Sequence, residues 1–320
     1  MAHQTNTASG PVDLLQQLVT WLMVQGWTCN MSQSEGNGWR AHLSKNGVYV
    51  NLRALVGEHK FFHACPEGYT FRGISLYVGT GYDGGAAWVS QPGGPVELGT
   101  AYTIGAMLGL PSGAIPSYHF LDDGADNITV IAEYSAGVYQ HMGWGNLLKA
   151  GAFTGGAYFF ASCDFRLGAA TACAPCSDSS TTMDGFSSAY FRADVDSFTG
   201  KWLNMVGLEN KTGKNARSPF CNYNARGSGI WTALPYYGLS ADDRPFGFQS
   251  AQVSLQNNRI TLLPARIFVD RDSYGVSLLG TVPGLFYTTA TDHGFDKASE
   301  LQIGSDSYLL FPDFAVKKVG

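Results

Sequence analysis

Charge is what this chain has least of. Asp, Glu, Lys and Arg make up 14% of its 320 residues, against the usual quarter. The formal net charge is −5, and Lys and Arg form no run, the nearest approach being Lys211, Lys214 and Arg217. Duplex-DNA readers draw most of their affinity from phosphate neutralisation and carry a basic balance, so sequence-specific nucleic-acid binding is excluded. Disorder needs high charge and few aromatics, and here aromatics reach 13%.

Long apolar runs are also missing. The most hydrophobic helical stretch, Leu14 to Val24, is broken by Gln16, Gln17 and Thr20, and falls short of the roughly 20 residues a membrane span requires. Met1 to Ser9 is polar, with no basic segment leading into an apolar one, so it does not read as a signal peptide. The expectation is a chain made in the cytoplasm without a membrane anchor.

Catalytic and cofactor motifs are missing as well. No G-x-S-x-G elbow occurs. Gly79-Thr80-Gly81-Tyr82-Asp83-Gly84 satisfies G-x-G-x-x-G, but Gly85 to Pro95 cannot form the helix a dinucleotide site needs next, so a turn-rich loop is expected. His59 and His63 lack the glutamate directly after the first histidine that a zinc protease uses. Acidic pairs at Asp122–Asp123, Asp194–Asp196, Asp242–Asp243 and Asp270–Asp272 read as solvated turn residues rather than a calcium or glycosidase site. Among six cysteines (Cys29, Cys65, Cys163, Cys173, Cys176 and Cys221), only Cys173 and Cys176 are close. They are the candidates for a metal site, with Cys163 and Cys221 as further ligands, but the spacing matches no zinc signature and plain reduced thiols are the favoured reading. The expectation is a protein that is not an enzyme, has no catalytic residue and needs no cofactor.

What remains is strand, turn and glycine, the last at 40 residues. Pro11 suits a first helical turn and Asp13 complements its positive end. Leu14, Leu15, Leu18, Trp21 and Leu22 then recur at helical spacing, with Gly26 as the stop. Trp39, Ala41 and Leu43, then Val48, Val50 and Leu52, alternate on either side of Asn46-Gly47, a strong hairpin signal. Strands are expected at 71–78, 118–121, 128–134 and 138–144, with a turn at Tyr134 to Gly137, and weaker ones at 230–234 and 253–255. Pro264 places an edge or bend within 259–270. A terminal hairpin turns at Gly304, Ser305 and Asp306. Residues 82–116, rich in Gly and Pro, read as a long arm that orders against a neighbour.

The fold class is therefore α+β, mainly β: an N-terminal amphipathic helix packed on an antiparallel sheet, then a β-rich remainder with long Gly/Pro-rich loops. A domain cut, if the chain is not one domain, falls near 170–190, dividing 1–170 from 171–320. Tyr139, His141, Trp144, Phe153 and Tyr158 crowd a glycine-laced stretch and are the candidates for a subunit interface, where aromatics are enriched and charge depleted. Ordinary β-core packing is the competing reading.

Several segments together resemble virion structural proteins of tailed bacteriophages and prophages. They are Ile74-Ser-Leu-Tyr-Val-Gly-Thr-Gly-Tyr-Asp83, Ala87-Trp-Val-Ser-Gln-Pro-Gly93, Pro116-Ser-Tyr-His-Phe120, Gly137-Val-Tyr-Gln-His-Met-Gly-Trp-Gly145, Gly151-Ala-Phe-Thr-Gly-Gly-Ala-Tyr158 and Tyr308-Leu-Leu-Phe-Pro-Asp313. The resemblance runs from about Ile74 onward as an overall pattern. It implies a non-enzymatic part of the tail, baseplate or head–tail neck, present in several copies around the tail axis. Its partners would be copies of itself and other virion proteins, and its location the virion, reached from the host cytoplasm during assembly. The alternatives are a receptor- or carbohydrate-binding tail-tip protein and a tail-borne wall hydrolase using Asp122 and Asp123.

Overall fold

The computed structural model describes residues 1–58, 71–94, 104–111, 113–136, 138–161, 163–166, 188–194, 202–204, 216–217, 262–270, 276–288, 299–310 and 314–319. A first strand β1 (Ala2–Ala8) leads into helix α1 (Pro11–Val24), followed by β2 (Thr28–Glu35), β3 (Gly38–Lys45), β4 (Val48–Glu58), β5 (Phe71–Gly79) and β6 (Ile104–Gly109). Next come β7 (Ile115–Asp122), β8 (Ile128–Ser135), β9 (Val138–Asn146), the short β10 (Leu148–Lys149), β11 (Thr154–Ala161), β12 (Cys163–Arg166), β13 (Ser188–Asp194), β14 (Trp202–Asn204) and β15 (Ala216–Arg217). The last are β16 (Leu262–Asp270), β17 (Val276–Thr288), β18 (Ser299–Ile303), β19 (Asp306–Leu310) and β20 (Phe314–Val319). The chain is mainly β, with one α-helix among the described residues and antiparallel strand pairing.

The strands form three sheets. The outer sheet runs β12-β6-β5-β4-β3-β2, the middle sheet β1-β7-β8-β9-β11-β13-β14, and the C-terminal sheet β15-β16-β17-β20-β19-β18 with β10 joined to β17.

Helix α1 starts as its sequence dictates. Pro11 occupies the first turn, and the Asp13 carboxylate accepts the Ser9 N–H at 2.7 Å and the Ser9 hydroxyl at 3.0 Å. Those hydrogen bonds, the backbone one foremost, hold the Asp13 pKa below its ordinary value. At the other end Gly26 takes φ +84°, and the Trp27 N–H reaches back to the Leu22 carbonyl at 3.0 Å, a Schellman-type stop. Leu14, Leu15, Leu18, Trp21 and Leu22 are buried, while Val24, past the last packed turn, is 78% exposed.

The apolar face of the helix lies against β3 and β4, whose inward residues Ala41, Leu43, Val50, Leu52 and Ala54 belong to the same core. Asn46 (φ +47°) and Gly47 (φ +82°) join the two strands, with Lys45 opposite Val48. Both central residues in the left-handed region is the tight hairpin that Asn-Gly favours.

The middle sheet completes this core with Tyr118, Phe120, Val130, Met142, Trp144 and Phe159. The residues between them point the other way, yet Leu121, Ile131, Tyr158 and Phe160 are buried too. On that side β1 contacts β20, β10 pairs with β17, and Gly284 lies beside Asp123. The middle sheet is thus covered on both faces.

Two expectations change. The 82–116 stretch is not one long arm: Trp88 to Ser90 form a 3-10 turn with Trp88 buried, and β6 sits inside the outer sheet between β5 and β12. The Tyr77 hydroxyl donates to the Trp88 carbonyl, and the Gln91 side chain bonds the Asp83 N–H and carbonyl, both at 2.9 Å. These contacts tie the glycine-rich connection down. The polar N-terminal stretch, which carries no strand signal, forms β1. Pro264 is exposed in β16 beside a break in register with β17, the bend its ring enforces. The expected strands at 230–234 and 253–255 and residues 170–187 of the expected boundary region lie outside the described residues, as do His59, His63, Cys173, Cys176, Asp242 and Asp243.

Candidate interaction surfaces

The aromatic stretch is split by strand alternation. Trp144 on β9 stands opposite Phe159 on β11 and is fully buried, its ring edge-on to Trp27 at 6.0 Å. It fastens the end of α1 to the middle sheet. Tyr158 is buried on the opposite face, where its hydroxyl donates to Asn127 Oδ1 at 3.0 Å, and burial pushes its pKa well up. As a correction, Trp144 and Tyr158 are core within this chain rather than residues offered to a partner. Gly143, facing Phe160 across the strands, shows how tightly this is packed: a Cβ there would lie 2.5 Å from the Phe160 ring.

Tyr139 and His141 are half-buried on the outward face of β9, and Phe153 is half-buried beneath the Lys149 ammonium, 5.0 Å from its ring centre. Of the five expected interface residues, these three keep accessible surface.

The Asp122 to Asn127 segment is a built turn between β7 and β8. Asp122 Oδ1 accepts the Gly124 N–H at 2.7 Å, and Asp123 Oδ1 accepts those of Ala125 at 2.7 Å and Asn127 at 3.1 Å. Burial raises the Asp122 pKa against that hydrogen bond. Asn127 Nδ2 donates to Asp123 Oδ2 at 2.8 Å, and its Oδ1 accepts from the Asn146 N–H at 2.9 Å. Asp126 pairs with Lys45 at 3.0 Å and accepts from Asn46 Nδ2 at 2.7 Å, which ties the turn to the β3–β4 hairpin. Among the described residues no three His, Cys, Asp or Glu side chains gather to hold a metal ion.

Two polar groupings escaped the sequence reasoning. On the outer sheet, the face turned away from α1 carries His42, Asn51, Arg53 and Ser75, each at most 2% exposed. His42 Nδ1 meets Asn51 Oδ1 at 2.6 Å, and burial lowers the His42 pKa. Arg53 and Arg40 share Glu35, at 3.3 and 3.7 Å. The polar half of each strand's alternation was the available signal, but alternation alone implied solvent on that side.

The other grouping lies where β1 crosses β7. His3 Nε2 lies 3.2 Å from His119 Nδ1, and the rings are stacked at 5.4 Å with planes 12° apart. The Lys318–Glu300 ion pair of β20 and β18 is close enough to act on both rings electrostatically. Burial first, then His119 and Lys318, holds the His3 pKa down to about 4, and burial lowers that of His119 in the same direction. On the inner side of β1, Gln4 donates to the Tyr118 hydroxyl at 3.1 Å, which in turn donates to Gln17 of α1.

The chain matches no protein family and no curated protein. No described helix is long and apolar enough to cross a membrane.

Proposed function

We propose that this protein is a non-enzymatic structural component of a tailed-phage virion, forming part of the tail, baseplate or head–tail neck through ring contacts between copies. The observation that carries the reading is the run of segments resembling such virion proteins. In the fold they fall on β5 and the 80–94 connection, on β7, β9 and β11, and on β19. They spread over the body of all three sheets instead of converging on one cleft, as expected where the whole shape of a subunit is what its neighbours recognise. Low surface charge supports the same reading, because faces that become buried between subunits are depleted in charge. Closed rings bury such faces on both sides of every copy.

The test is mass spectrometry of purified particles from the phage or prophage that encodes the chain, with heads and tails separated. The expected result is this protein in the tail or neck fraction. Its absence from particles overturns the reading. Specific glycan binding by the isolated protein, without ring formation, would favour the tail-tip alternative instead.

A further inference from the structure

We propose that β1 is an acid-released strap: the neutral His3–His119 pair fastens it between the middle and C-terminal sheets, and mild acid unfastens it while the rest of the molecule stays folded. Among the described residues β1 is the outermost strand of the middle sheet, joined by backbone pairing on one side only, to β7. Its outward face contacts β20. At that crossing the His3 and His119 nitrogens, 3.2 Å apart, share one proton: one nitrogen donates and the other accepts with its lone pair. Protonating both rings turns both nitrogens into donors. The hydrogen bond is lost, and two cations are left stacked at 5.4 Å.

Among the described residues, the surroundings do not neutralise those cations. Lys318 of β20 adds like charge. Glu300 of β18 favours protonation but is already held by Lys318. Glu133 of β8 favours protonation of His119 alone among the two. In the same cross-strand row, Thr5, His119, Ile131 and His141 follow one another across β1, β7, β8 and β9, and His141 too is held neutral by burial, at about 4. The seam therefore carries histidines that burial holds toward their neutral forms.

The sign follows from linkage. Both folded-state pKa values of the pair lie below the unfolded histidine value, so the opened strand binds more protons than the closed one. The stabilisation is complete above about pH 6.5 and is lost as pH falls toward about 4 for His3. The inner-face contacts through Gln4, Tyr118 and Gln17 do not titrate in this range, so acid lowers the cost of opening β1 by the contribution of its outward side alone.

The strap stands on its own geometry and holds or fails independently of the virion reading. The experiment is hydrogen–deuterium exchange on the full chain at pH 7 and pH 5, corrected for intrinsic exchange chemistry, comparing wild type with His119→Gln and His3→Gln. For the half-exposed pair, opening of the β1 amides is expected to rise about tenfold on acidification, with β5, which carries no histidine or carboxylate, unchanged. In His119→Gln the pH response of β1 should flatten; His3→Gln, on the outermost strand, gives the same readout should the first variant fail to fold. A β1 opening that does not change with pH overturns the proposal. So does loosening of β5 in step with β1, or a full pH response surviving in both variants.

Discussion

The α1–β3–β4 unit and the seam between β1, β7, β18 and β20 are held together by different physics. In the first, contacts are local in sequence and apolar: Leu14, Leu18 and Leu22 meet Leu43, Val50 and Leu52, and the turn is set by two residues with positive φ. In the second, β1 and β7 bring together residues more than a hundred positions apart, His3 and His119 among them, and the outward side is made by these imidazoles beside the Lys318–Glu300 ion pair. Apolar burial changes little with pH, whereas a seam of neutral histidines weakens as protons arrive. The apolar contacts of the first unit are thus indifferent to pH, although His42 on the far face of β3 is not, whereas the proposed strap depends on pH for its outward fastening.

The largest break on the apolar side should come from Trp144→Ala. Removing a fully buried indole that clamps α1 through Trp27 costs about 3–5 kcal/mol, seen as a lower midpoint in denaturant, and the loss should be similar at pH 7 and pH 5. A variant of normal stability that fails only in assembly would return Trp144 to an interface role. Next is Asn127→Ala. It orphans the buried Tyr158 hydroxyl and the Asn146 N–H, so about 2–3 kcal/mol is expected, measured in the same way. The smallest effect should be Gly47→Ala. A Cβ there meets nothing within 4 Å, and only the φ of +82° opposes it, at about 1 kcal/mol. A much larger loss would mean that the hairpin turn has partners beyond its backbone.

The first unit was legible from residues alone because every level agreed: Pro11 and Gly26 bound the helix, leucine spacing gave its face, and Asn46-Gly47 fixed the hairpin. Strands β5, β7, β8 and β9 and the closing hairpin at Gly304 were legible for the same reason. β1 was not. Its polar residues sit on a half-exposed outermost strand, whose pairing with β7 depends on a segment far along the chain. β6, Ile-Gly-Ala-Met-Leu-Gly, hid behind small residues that read as loop; Gly73 on the neighbouring β5 strand shows why small residues are used there, since a Cβ would lie 2.1 Å from the Leu108 carbonyl oxygen.

The interface expectation changed for a third reason. Period-two alternation tells which residues share a face, but not whether that face meets solvent, a partner or another layer of the same chain. Because the middle sheet is covered on both sides, Trp144 and Tyr158 are buried on opposite faces. Histidines 3 and 119 escaped notice, and His141 was read only as an interface candidate, because His3 meets His119, and His119 and His141 share a row, only once β1, β7, β8 and β9 are brought into register.

The most direct measurement of the central claim is the copy number of this protein per particle, by quantitative mass spectrometry of isolated tails and necks. A subunit of a ring around the tail axis predicts a fixed multiple of three or six. A variable or trace number, or none, would contradict a structural place in the virion.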